Sequence, residues 1–213
     1  MFGAKVQIAA IEKGIVMHLV MVRFDFHALY EPKHPEVLRI NPKGQVPVLV
    51  QGDLELFDST QIFEYLEDLQ PAPRLWPADV RTRARARLLE LQSDEMYFSH
   101  VVQLMGLQDR LQEPPAQTAI GAARAFYGAL ESRLQDDRAW LLGSFSYADI
   151  SFYMAALFGE RQGATLTQDT PRLMAWRDRM SGRESVRQVA GAMASWLLAA
   201  GRPLPPFMRT LLD

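Results

Sequence analysis

Residues 41–62 constrain the fold more than any other part of this chain. They read Asn41-Pro42-Lys43-Gly44-Gln45-Val46-Pro47, then Val48-Leu49-Val50-Gln51-Gly52-Asp53-Leu54-Glu55-Leu56-Phe57, then Asp58-Ser59-Thr60-Gln61-Ile62. The order of residue types dictates a tight turn, a strand entered through Val46-Pro47, a turn at Gly52-Asp53, a second short strand and a helix start at Asp58-Ser59. Pro47 has no N–H to give to a ladder, so the backbone of Val46 just before it is left to pair with something else. Asp58 and Ser59 stand beside the unpaired amides of a helix N-terminus, where carboxylates are favoured. A strand edge with open backbone groups next to a helix start can hold a peptide.

The rest of the chain falls into two compositional halves. A first helix over residues 3–13 places Val6, Ile8, Ala9 and Ile11 near a buried face and stops at Gly14. Residues 16–24 are rich in Val, Leu and Met and read as a strand, and 36–40 as a short helical turn. Strands near 47–50 and 54–57 form a hairpin, and a helix over 59–69 carries Ile62, Tyr65, Leu66 and Leu69 at helical spacing. Gln70-Pro71-Ala72-Pro73 breaks that pattern and opens a linker over 71–77.

From residue 78 the pattern is helical almost throughout. One long helix is expected over 79–112, stopped by Pro114-Pro115, and a second over 117–135 with Ala123, Phe126, Leu130 and Leu134 on one face. Ser146-Tyr147-Ala148-Asp149 is a capping box in acidic form, opening an almost wholly apolar helix over 150–158 that has to be the centre of its domain. Helices follow over 171–180 and 184–200, and the tail from 202 to 213, with three prolines, is expected to run extended over the surface.

Charge and composition exclude several functions. A net charge of −2 and a pI near 6.1 leave no electrostatic footprint for nucleic acid or an anionic membrane. No run of about 18 apolar residues is present, and the N-terminus lacks a signal-peptide pattern, so a cytoplasmic protein is expected. With no cysteine there is no disulfide, metal–thiolate site or cysteine nucleophile. The four histidines have no metal-ligand spacing, so no metal is expected. Arg81, Arg83, Arg85 and Arg87 spread around a helix at about 100° per residue, which reads as a solvated face.

The 41–62 segment closely resembles the glutathione-binding half of the glutathione transferase superfamily, in which the proline is cis and the acidic-Ser pair grips the γ-glutamyl end of glutathione. Val6-Gln7-Ile8-Ala9-Ala10-Ile11-Glu12-Lys13-Gly14 looks like the first helix of its thioredoxin-like domain. Trp140-Leu141-Leu142-Gly143-Ser144-Phe145-Ser146-Tyr147-Ala148-Asp149-Ile150 looks like its second-domain signature. The resemblance implies an α/β thioredoxin-like N-terminal domain over 1–70, the linker, and an all-α C-terminal domain over 78–213. It implies glutathione as co-substrate, a small hydrophobic electrophile as partner, and a homodimer.

Carried over by position, Val46, Asp58 and Ser59 hold the peptide, Gln45 reaches the glycine end, and Lys33, with His34 as its rival, meets the same terminal carboxylate. Met96, Tyr97, Phe98, His100 and Met105 are candidates for a hydrophobic substrate wall, with core packing as the ordinary alternative. The catalytic residue is unknown: Met1 aligns with the end of the loop that bears the family's catalytic hydroxyl, and a tau-like Ser-Pro-Phe-Gly loop puts the serine before Met1. A start assigned too late is favoured over a member that dispenses with the strand and its hydroxyl, because a thioredoxin-like sheet without its central strand leaves two edges unpaired. The alternative function is a non-catalytic member of this fold with a protein partner.

These readings predict that the 213-residue chain binds glutathione weakly and conjugates it to a general electrophile slowly. Loss of one positioned donor costs on the order of 10²–10³ in rate. Assays of this chain and of one extended by a strand ending in Ser-Pro check this: the extension is expected to restore rate, and full activity without it would contradict the reading.

Overall fold

A computed structural model describes residues 1–134 and 138–212. Contacts divide the chain into two units, one spanning Phe2–Pro73 and the other running from Arg74 onward together with Met1.

The smaller unit contains α1 (Phe2–Glu12), α2 (Pro35–Ile40), β1 (Val48–Gln51), β2 (Leu54–Phe57) and α3 (Ser59–Leu69). The two strands pair antiparallel in the register Val48↔Phe57, Leu49↔Leu56, Val50↔Glu55, Gln51↔Leu54. Gly52 makes the reversal at φ 61°, a region that side chains other than glycine rarely enter. Val6 and Ala10 of α1 meet Ile62 and Leu66 of α3, and Leu49 and Leu56 of the hairpin pack on that cluster. Lys13 at the end of α1 is buried, donating to Glu67 at 2.6 Å and to the Pro73 carbonyl at 2.9 Å. That one ammonium ties the ends of α1 and α3 to the last residue of the unit. Ile11, expected on the buried face, is exposed; Ala4, Lys5 and Ala10 take that place.

The strand expected over 16–24 does not form. Ile15 and Met17 pack against the α1/α3 cluster, but Val16 is 98% exposed and Leu19, Val20 and Met21 are also exposed. Composition sets β-propensity, whereas a strand exists only through a ladder, and no described residue supplies one here.

The second unit is all helical: α4 (Val80–Leu91), a π-helical segment (Gln92–Tyr97), α5 (Phe98–Met105), a single 3₁₀ turn (Gln108–Arg110), α6 (Pro114–Arg133), α7 (Tyr147–Arg161), α8 (Pro171–Ser181), α9 (Glu184–Ala199) and a short α10 (Pro206–Arg209). The single long helix expected over 79–112 is therefore interrupted. In the π segment the Phe98 N–H reaches the Ser93 carbonyl, and the Ser93 hydroxyl donates to Leu89 O at 2.8 Å. Pro114 starts α6, since proline is favoured in the first turn where its missing N–H costs nothing. The tail also departs from expectation: Leu204, Phe207, Met208 and Leu211 are buried, and Arg177 stacks on the Phe207 ring at 4.5 Å.

At the centre lies α7, buried along nearly its whole length. Its capping box forms as expected, with Asp149 accepting from the Ser146 N–H and hydroxyl, both at 3.0 Å. The other carboxylate oxygen accepts from Leu141 N at 3.0 Å and from the Trp176 indole at 2.9 Å. Burial pushes the Asp149 carboxyl up, while these four donors pull against that shift. Glu131 of α6 plays a similar part for α8, accepting from Arg172 N at 3.1 Å and Leu173 N at 2.8 Å. It thus caps a helix whose own Thr170 supplies no side-chain cap.

Rings of Tyr97, Phe126, Tyr127, Phe152 and Trp176 pack around α7. The Tyr97 and Tyr127 hydroxyls bond each other, Tyr127 also donates to Ala164 O at 2.8 Å, and burial raises both phenol pKa values. Tyr97 and Phe98, candidates for a substrate wall, are thus core residues. Met96 is exposed, and His100 and Met105 are half-buried.

Two outcomes follow for stability. Asp149→Ala strands three N–H donors in the interior, at about 1–3 kcal/mol for each left unpaired. Chemical unfolding is expected to show a loss of several kcal/mol, with ligand affinity of the folded fraction unchanged; wild-type stability would contradict this role. Gly159→Ala is expected to cost about 1–3 kcal/mol by overpacking, because its Cβ would overlap Tyr97 Oη inside the ring cluster. An undiminished melting temperature would show that the cluster yields.

Candidate functional site

The site begins with Asn41, buried at the end of α2. Its side chain accepts from Lys43 N at 2.9 Å and donates to the Gln45 carbonyl at 2.7 Å, while Gly44 N donates to Asn41 O at 2.8 Å. One amide side chain therefore closes the turn and fixes the direction of the Gln45–Val46 peptide. Gly44 sits at φ 58°, and a Cβ there would fall 3.0 Å from Lys33 Nζ. The ammonium of Lys33 accordingly rests on the Gly44 backbone, next to Gln45.

The Val46–Pro47 bond is cis, as the motif leads one to expect. Val46 is half-buried, and its N–H and C=O have no partner among the described residues. The hairpin ladder ends at Val48↔Phe57, so Pro47-Val46 and Asp58-Ser59 leave it at the same end. Four of the five predicted residues are thereby collected by two local devices, the Asn41 turn and the hairpin register, and Lys33 joins them over Gly44.

Asp58 caps α3, its Oδ1 accepting from Thr60 N at 3.0 Å and Gln61 N at 3.2 Å. Its backbone lies at φ 73°, ψ 129°, outside the regions a side chain readily allows, at a cost of about 1–3 kcal/mol. Asp58 is exposed, and Ser59, the first residue of α3, is only 2% exposed. A carboxylate approaching this helix start meets amides already partly served by Asp58, so Ser59 and the backbone carry the remaining donor capacity.

His34, the rival of Lys33, is occupied otherwise: its Nδ1 accepts from Glu36 N at 3.3 Å and caps α2. Sequence reading missed Arg39, whose guanidinium bridges Glu36 at 2.7 Å and Glu55 at 2.6 Å and joins α2 to β2. The two carboxylates hold its pKa above the usual arginine value. The Glu36…Arg39 spacing of three was the available signal for half of that bridge. Among the described residues no group of three His, Asp or Glu side chains is placed to hold a metal, and no helix is long and apolar enough to cross a membrane.

Comparison with known proteins gives this site a context. The family model for the glutathione S-transferase N-terminal domain matches residues 1–74, and that for the C-terminal domain matches residues 96–184. Among curated relatives, glutathione S-transferase 1 of the carnation Dianthus caryophyllus is 38% identical over 97 residues, covering 44% of this chain and 42% of that protein. A stringent starvation protein A homolog of Haemophilus influenzae is 37% identical over 94 residues, covering 44% of this chain and 42% of that protein. The aligned region thus spans less than half the length of either relative. A solved glutathione S-transferase of Rhodospirillum rubrum F11 superposes with a TM-score of 0.71 at 28% identity, over 88% of this chain and 86% of that one. Two domain matches in the right order, and a superposition running through both, establish that this chain belongs to the glutathione transferase superfamily.

Proposed function

We propose that this protein binds glutathione at the open end of the β1–β2 hairpin and transfers it to small apolar electrophiles. The observation that carries the reading is the unpaired Val46 backbone beside the start of α3. An extended peptide can add its own N–H and C=O to Val46 as it would to a strand edge. In this reading Ser59 and the first amides of α3 take the γ-glutamyl carboxylate, with Asp58 drawing the γ-glutamyl ammonium, while Gln45 and the Lys33 ammonium meet the glycine carboxylate.

The chemistry requires a thiolate: glutathione gives its S–H proton to solvent, sulfur forms a bond to the electrophilic carbon, and the displaced group leaves with the electron pair. With the family's hydroxyl donor expected before Met1, thiolate stabilisation in this reading falls to the amides at the start of α1, a weak substitute. We place the protein in the cytoplasm as a homodimer, as is usual for this reading.

A second reading has the same fold serving as a non-catalytic binding or regulatory protein. The near-equal identity to the stringent starvation protein A homolog is what favours it. Calorimetry with glutathione separates the two, since only the first needs a glutathione site.

Ser59→Ala is expected to weaken glutathione binding about tenfold, in line with about 1.5–3 kcal/mol for a hydrogen bond to a charged group. Lys33→Ala is expected to weaken it less, because the half-buried ammonium is partly screened by solvent and already lies 3.8 Å from the Glu31 carboxylate. Titration calorimetry on the wild type and both variants measures this. Absence of glutathione binding by the wild type would defeat the transferase reading and leave the partner-binding one ahead.

A further inference from the structure

Helix α2 carries the glycine end of the proposed glutathione site at both of its own ends, yet it is only six residues long. Lys33, two residues before Pro35, rests on Gly44, and Asn41, the C-cap, closes the turn that aims Gln45. A helix this short has no stability of its own, so its place is set by what it packs on. Val37 and Ile40 are its buried side chains, and apolar burial has no direction.

Direction comes from Arg39. Its guanidinium forks onto the Glu55 carboxylate of β2, Nη1 donating to Oε2 at 2.7 Å and Nη2 lying 2.6 Å from Oε1. Nη2 also donates to Glu36 Oε2 at 2.7 Å, one turn earlier in α2. Glu55 stands opposite Val50, so the fork ties α2 to the ladder whose open end presents Val46. A bidentate arginine–carboxylate pair fixes angle as well as distance. The three side chains are between 38% and 52% exposed, so the bridge is screened by solvent and adds little to global stability. What it supplies is geometry.

We propose that the Arg39–Glu55 fork is a positioning clamp that lets the site discriminate a peptide ending in glycine from one ending at cysteine. This rests on the glutathione reading above. With the fork in place, α2 holds Lys33 and Gln45 where the glycine carboxylate arrives. Without it, α2 pivots on Val37 and Ile40 and the glycine end loses its donors. The γ-glutamyl end is placed by Asp58 and the start of α3, which α2 does not carry. A field effect alone would give another pattern: losing the Arg39 cation would weaken an anionic peptide, and losing the Glu55 anion would strengthen it. A clamp fails whichever half is removed.

Titration calorimetry with glutathione and with γ-glutamylcysteine tests this on the wild type, Arg39→Ala, Glu55→Thr and the double variant. Threonine suits a strand and is too short to reach Arg39. Each single variant is expected to bind glutathione about fivefold more weakly, the value of one hydrogen bond, and γ-glutamylcysteine as the wild type does. The double variant is expected to lose no more than either single one, because both changes remove the same contact. Arg39→Lys keeps the charge without the fork and is expected to rescue only part of the loss. A thermal melt confirms that each variant is folded. Tighter glutathione binding by Glu55→Thr, wild-type affinity in either single variant, or equal weakening of both peptides overturns the clamp while leaving the glutathione site in place. Absence of glutathione binding by the wild type overturns the glutathione reading, and the clamp with it.

Discussion

Backbone N–H groups at the ends of elements need acceptors, and this chain meets that demand with a small set of side chains that also decide its architecture. Asp149 serves the start of α7, the Leu141 amide and the Trp176 indole at once. Glu131 serves α8, Asp58 serves α3, and Asn41 serves the turn before β1. Each joins segments distant in sequence or fixes the direction in which a chain leaves a helix. Removing Asp149 or Glu131 strands buried donors, which costs more than the bond itself is worth.

The same accounting singles out the candidate site. Among the described residues, neither the N–H nor the C=O of Val46 has a partner. Asp58 tolerates a strained backbone immediately past the ladder, so that α3 starts beside it. Open peptide groups, a strained cap and a cation resting on Gly44 are what a site for a charged extended peptide requires. They are also hard to explain as fold stabilisation alone, since the strain and the unmet bonds both cost free energy.

The binding motif was legible because it is local: Val-Pro, Gly-Asp and Asp-Ser each encode their geometry within a few residues, and the hairpin register carries them to one end. The capping box at Ser146 and Asp149 was legible for the same reason. What the sequence could not disclose depends on distant partners. The 16–24 segment has the composition of a strand but lacks a ladder among the described residues. Tyr97 carries no mark that distinguishes a cleft wall from a core, and only its bond to Tyr127 settles it. Likewise the proline-rich tail gives no sign that Phe207 will sit under Arg177. The break at Gln92–Tyr97 comes from a hydrogen-bond pattern that no periodicity announces.

The central claim is that a peptide completes the bonds left open at Val46 beside the start of α3. Two-dimensional ¹H–¹⁵N spectra recorded during a glutathione titration examine that claim at the atoms concerned. The account predicts that the amides of Val46, Ser59 and Thr60 shift together and most strongly, with a single saturating dependence on glutathione concentration. Saturation with those three amides unmoved, or with the largest shifts confined to the helical unit, would contradict it.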